Sequence, residues 1–245
     1  MSRPFAHPLD MAQRLRKANR FFEAVELLEE YWKSLGLDQR AERIECLNEQ
    51  SQCLWRQGKL TEGRIKARKA LLLAQRAPQD LQGEISALRN LGAISLKQDA
   101  LEEAKGFLQS VFDLGKLHSD ARSMAISLNG LGVIYRRQKK FEQAEESYKL
   151  SLSLAEQLDD REYIARVLNN LGLVYWQQNK LKDAKTYYQR CLPLLEELGL
   201  LQEGAARTLE ELFTQEQVEE QQRADLESAF EGLWKIAQAL DTRLD

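Results

Sequence analysis

The side chains that could transfer a proton, attack a carbonyl or hold a metal are few in this chain, and they are scattered. The two histidines are His7, in the N-terminal tail, and His118, at an expected helix–helix loop. Of the three cysteines, Cys46 and Cys53 share one helix face while Cys191 lies far away, and none has metal-type spacing. No GxSxG, HExxH, phosphate loop, GxGxxG or CxxC is present. The carboxylates sit on helix faces such as FEQAEES, where water solvates them. These residues predict no catalytic group, no metal site and no cofactor, and the cysteines read as small buried hydrophobes.

The elements around these residues are helices. Of the four prolines, Pro4 and Pro8 stand in the first ten residues and only Pro78 and Pro193 follow. Leu, Ala, Glu, Gln, Lys and Arg, the good helix formers, fill much of the rest. With 43% hydrophobic and 30% charged residues the chain belongs with folded proteins, not disordered ones. A net charge of −3 argues for neither nucleic acid nor an acidic tail. No stretch is apolar enough to span a bilayer, and MSRPFAHPLD has no signal core. A cytoplasmic location is the expectation.

The dominant feature is a repeat. Gly92, Gly132 and Gly172 fall at intervals of 40, each after a leucine (Leu91, Leu131, Leu171). Gln98, Gln138 and Gln178 share the interval, as do Leu101, Phe141 and Leu181, and Ala104, Ala144 and Ala184. Weaker copies lie upstream: Ser51, Gln57, Leu60 and Gly63, then Phe21 and Ala24. Ala224 extends the small-residue column downstream. Small residues let paired helices approach closely, and apolar residues at helical spacing fill the space between them. One pair cannot bury its own apolar face, so a core forms only by stacking.

The skeleton of LNGLGVIYRRQKKFEQAEESY and LNNLGLVYWQQNKLKDAKTYY resembles the tetratricopeptide repeat family. Its unit of 40 instead of about 34 is similar to the subclass of kinesin light chains, spindle-orienting adaptors and bacterial signalling proteins. The resemblance implies an all-α, right-handed superhelical solenoid of antiparallel helix pairs. The expected organisation is a tail over 1–8, units near 9–43, 44–83, 84–123, 124–163 and 164–200, and a degenerate C-terminal pair over 201–245. The last pair would cap the array, with a dimerisation helix as the sharper alternative.

In this family the first helix of each pair lines the concave groove. The matching stripe yields Asn48, Trp55 and Arg56, then Arg89 and Lys97, then Asn129, Val133, Arg136 and Arg137, and finally Arg166, Asn169, Leu173 and Trp176. The asparagines could hydrogen-bond the backbone of a peptide, while the cations, Arg136 and Arg137 expected to be exposed among them, favour an acidic segment. Against this stand simpler roles: Asn beside Leu-Gly and cations ending a first helix are ordinary in such repeats. Trp32 and Trp234 read as core or cap. The Lys/Asn carboxylate clamp of chaperone-binding members is missing, with Arg89 and Asn90 at matching positions.

The resulting expectation is a non-enzymatic scaffold or adaptor binding a protein or peptide, with an acidic segment as ligand. The alternatives are a peptide-responsive regulator and a self-assembling structural protein. Nucleic acid is disfavoured because the basic stripe lacks interleaved stacking aromatics.

Overall fold

The computed structural model describes residues 7–76 and 78–199. The expected C-terminal cap or dimerisation pair, with Ala224 and Trp234, lies outside the described residues. Within them are ten helices and no strand: α1 (Pro8–Lys17), α2 (Phe21–Ser34), α3 (Arg40–Arg56), α4 (Leu60–Ala74), α5 (Leu81–Lys97), α6 (Leu101–Leu117), α7 (Ala121–Arg137), α8 (Phe141–Gln157), α9 (Arg161–Gln177) and α10 (Leu181–Glu197). Contacts divide the chain into two compact units, one up to Ser123 and one from Met124.

Backbone chemistry at the turns explains why the helices break where they do. Asn19, Asp99, Lys139 and Asn179 end first helices in the left-handed region with φ of 58° or 59°, and Gly58 does so at 83°. Ser119 and Asp159 do the same between one pair and the next. The following N–H then reaches back five residues, as in Lys140 to Tyr135 O at 2.9 Å and Lys180 to Tyr175 O at 2.9 Å. These closures satisfy carbonyls that the helix end leaves open. The next helix starts within one residue, so the two helices of a pair must run antiparallel.

First helices carry a second signal. Asp80, Asp120 and Asp160 each accept a backbone N–H three residues on, at 2.9, 3.1 and 3.1 Å. Each such cap stabilises its helix by about 1 kcal/mol.

In the first unit α3 packs on α4 and α4 on α5, while α3 also touches α1 and α5. First helices therefore lie side by side. Leu9, Ala12, Ala24 and Leu28 form one core with Cys46 and Cys53, and Ile85, Leu88 and Val111 form another. In the second unit the core gathers Ala144, Tyr148, Leu168, Leu171, Val174, Ala184 and Tyr188.

The small-residue columns are where these helices come closest. A Cβ added at Gly132 would meet the Tyr148 ring at 2.6 Å, and one at Gly172 would meet Tyr188 at the same distance. In the α3–α4 pair the roles shift: Ser51 takes the glycine column and donates through Oγ to Gly63 O at 2.8 Å. Gly63 supplies the missing clearance, since a Cβ there would lie 3.1 Å from Ser51 O.

Candidate functional site

The stripe on the first helices divides sharply by accessibility. Asn48 is 6% exposed, Arg136 7% and Arg166 6%, and Trp55, Asn129 and Asn169 are buried with them. Arg56, Arg89, Val133, Leu173 and Trp176 are half-buried, and Lys97 and Arg137 are exposed. The expectation that Arg136 and Arg137 are both exposed is corrected for Arg136. Successive residues of a helix point about 100° apart, so only one of two neighbours can face water on a helix packed on several sides.

The buried amides have work inside each unit. Asn48 Nδ2 donates to Gly83 O at 3.0 Å, joining α3 to α5. Asn90 Nδ2 donates back to the Asn48 carbonyl at 3.0 Å. In the second unit Asn170 Nδ2 donates to Asn129 Oδ1 at 2.9 Å, which ties α9 to α7. Asn90 and Asn170 were not among the sequence candidates, although they share a column. Such buried bonds are costly to leave unmade, so the asparagine ladder functions first as a set of ties between neighbouring first helices.

Several cations, buried or not, lie over aromatic rings. The Arg166 guanidinium lies 4.5 Å from the Tyr163 ring, and Arg56 lies 4.6 Å from Trp55. Trp32 is covered on its faces by Arg43 at 4.2 Å and Lys69 at 4.8 Å. The ring contacts of Arg56 and Arg166 account for two cations in positions that the sequence assigns to a groove.

Between α1, α3 and α5 lies a cavity of about 340 Å³. Gln13, Glu45, Asn48, Gln52, Asp80 and Arg89 are among the residues on its wall. Glu49 also borders it, but Arg16 meets its carboxylate at 3.0 Å. Burial pushes the Glu49 carboxyl up from its ordinary value, with Arg16 opposing. Burial also raises Glu45, and nearby Asp10, Asp80 and Glu42 add to the effect against His7.

The other candidates for chemistry resolve as structure. His7 caps α1, its Nδ1 accepting from Leu9 N at 3.4 Å. Burial pushes the Cys46, Cys53 and Cys191 thiols up to about 12. Cys46 and Cys191 instead point their Sγ at the carbonyls of Leu28 and Ala165, at 3.3 and 3.2 Å. Among the described residues no group of three His, Cys, Asp or Glu could hold a metal ion. No helix among them is long and apolar enough to cross a membrane.

Paired antiparallel helices, glycine-to-ring contacts and ties between successive first helices define an all-α helical-repeat protein. Residues 123–197 match the family model for the tetratricopeptide repeat. Solved structures share its fold at low identity. One is BtubC (BKLC) from P. vanneervenii, at 19% identity and a TM-score of 0.61, covering 93% of this chain and 87% of that one. A Rap protein complexed with Competence and Sporulation Factor superposes with a TM-score of 0.74 at 16% identity, covering 95% and 66%. The kinesin light chain TPR-like repeats of Podosopora anserina give 0.59 at 15%, covering 78% and 94%. No curated protein matches the sequence.

Proposed function

We propose that this protein is a non-enzymatic interaction scaffold that receives a segment of another polypeptide on the exposed part of its first helices. The observation that carries the reading is the accessible set Arg137, Leu173 and Trp176 on α7 and α9, two helices tied together by the Asn170–Asn129 bond. An indole and a guanidinium are side chains enriched among the hot spots of protein interfaces, and the aliphatic Leu173 beside them adds apolar contact. The exposed cation favours a segment that is acidic where it crosses this stripe. In the first unit, taken by itself, Arg56, Arg89 and Lys97 present the same kind of side chain on the first helices. Asn48, Trp55, Asn129, Arg136, Arg166 and Asn169 support this surface from below, so they position the contact residues and do not make the contact.

The test is a pull-down from native lysate with wild type and with a triple variant, Arg137→Glu, Leu173→Ser and Trp176→Ala. Circular dichroism establishes that the variant keeps its helices. A partner retained by wild type and lost by the folded variant supports the scaffold reading and identifies the partner. Equal recovery by both rejects this stripe as the binding surface. The likeness to a Rap protein solved with a bound factor favours, as a second reading, a regulator whose ligand is a short peptide. A peptide that binds and changes the protein's hydrodynamic radius would select that reading.

A further inference from the structure

The stripe of the second unit ends in a cationic edge. Arg137 closes α7, Lys139 and Lys140 follow it in the turn, and all three are exposed. Lys180 is exposed at the matching turn after α9. Among the described residues Lys139 and Lys140 meet no carboxylate, while Glu145 of α8 is taken by Lys149 at 2.6 Å. Glu142 and Asp183 are the exposed acids in the first turns of α8 and α10, and the cations outnumber them. Beside this edge, half-buried Leu173 and Trp176 supply apolar surface. A ligand that fits carries several carboxylates together with a few apolar side chains.

This chain contains such a segment. Residues 200–245 lie outside the described residues, but their sequence includes TLEELFTQEQVEEQQ over 208–222. That stretch carries Glu210, Glu211, Glu216, Glu219 and Glu220 with no lysine or arginine, and Leu209, Leu212, Phe213 and Val218 stand among them. The net charge of −3 over the whole chain conceals this local excess. Because α10 runs antiparallel to α9, the chain leaves α10 near the start of α9. From there the far end of α9 is about 26 Å away, the length of its 17 residues. The dozen residues from Gly199 to Glu211 span up to about 40 Å when extended, enough for the acidic block to cover the edge of its own molecule. A tether of this length sets a local concentration on the order of millimolar. A segment of modest affinity then occupies the surface, and a partner in solution must displace it.

We propose that residues 208–222 occupy the stripe of the second unit as an internal competitor. Their glutamates lie against Arg137, Lys139 and Lys140, and Leu212 and Phe213 lie against Leu173 and Trp176. The inference rests on the scaffold reading, since it gives that reading's surface a regulating occupant from the same chain. The cap expected from the sequence would instead stack these residues behind α9, on the side away from α7.

Two measurements on the full chain test the proposal. In the first, a fluorescein-labelled peptide of residues 206–224 is titrated at low salt with wild type and with a glutamine variant. That variant carries Glu210→Gln, Glu211→Gln, Glu216→Gln, Glu219→Gln and Glu220→Gln, and circular dichroism establishes that it keeps its helices. It should bind the peptide about tenfold more tightly than wild type does. That is the relief expected on removing a millimolar internal competitor whose own dissociation constant is about a tenth of a millimolar. Adding Arg137→Glu to the variant should abolish the gain. In the second, Gln215→Cys carries a nitroxide, which labels this thiol because the three native ones are buried. In dilute 15N-labelled protein it should broaden amides of both 133–137 and 173–177, and about half-molar salt should relieve the effect.

Equal peptide binding by wild type and the glutamine variant overturns the proposal, and so does broadening confined to 161–199, the result for a cap. If the segment fails these tests while the stripe variant still loses its partner in the pull-down, the internal competitor alone falls. If both measurements succeed and even the glutamine variant recovers no partner from lysate, the scaffold reading falls and the contact within the chain stands.

Discussion

Tyr188 lies across Gly172 so closely that a Cβ on the glycine would stand 2.6 Å from the ring carbon Cζ. The Tyr148 ring does the same over Gly132. Both rings are essentially fully buried, so neither can swing aside without displacing the core behind it. A glycine in mid-helix costs about 1 kcal/mol relative to alanine, and here the closeness of the second helix compensates for that cost. On an open helix face Gly→Ala would therefore stabilise. Gly172→Ala and Gly132→Ala should instead each destabilise by about 1–3 kcal/mol through overpacking. Urea denaturation measures the effect, and a stabilised variant would show that the ring yields easily.

Gln50 occupies the column that Leu91, Leu131 and Leu171 fill in the later units. It is 1% exposed, and neither its Nε2 nor its Oε1 has a hydrogen-bond partner. A buried amide left unsatisfied costs about 1–3 kcal/mol. Gln50→Leu should therefore raise stability by an amount of that order, read as a higher denaturation midpoint at an unchanged slope. A drop in stability would mean that the amide is satisfied in solution by a bound water.

Arg16 and Glu49 form a buried pair between α1 and α3 at 3.0 Å. Replacing Arg16 by Met leaves the carboxylate without its partner and should cost about 3 kcal/mol at neutral pH. The pH dependence follows from burial, which already holds the Glu49 carboxyl above its ordinary value. Losing the opposing arginine raises it further. The folded variant thus binds this proton more tightly than the unfolded chain does, and its deficit is largest above the raised value and shrinks as pH falls through it. Denaturation at pH 7 and at pH 5 should show the gap between variant and wild type narrowing on acidification. A constant gap would place the loss in packing alone.

Each of the three cysteine thiols is buried and held near 12. At pH 8 the native protein should react with iodoacetamide on the order of a thousandfold more slowly than a free cysteine does, because the thiolate is the nucleophile. Unfolding in urea should release all three together. Fast modification of one thiol in the native state would reveal local opening of the helix that carries it.

Periodicity alone determined the fold. Columns of Gly, Ala and aromatic residues at intervals of 40 specify paired helices, because a small residue is needed wherever two backbones approach closely, whatever the surroundings. The cysteines were equally legible, since an apolar helical setting foretells burial. The first-helix stripe was legible only as a direction on each helix. Whether Arg136 or Arg137 meets water depends on what packs against each side of α7, and Arg137 alone is exposed. The tie from Asn170 to Asn129 and the return bond from Asn90 to Asn48 join residues 41 and 42 positions apart. The acidic cavity likewise draws its wall from three helices. Hydrogen bonds and desolvation depend on distances of a few ångströms between side chains from different repeats, and only tertiary packing sets those distances.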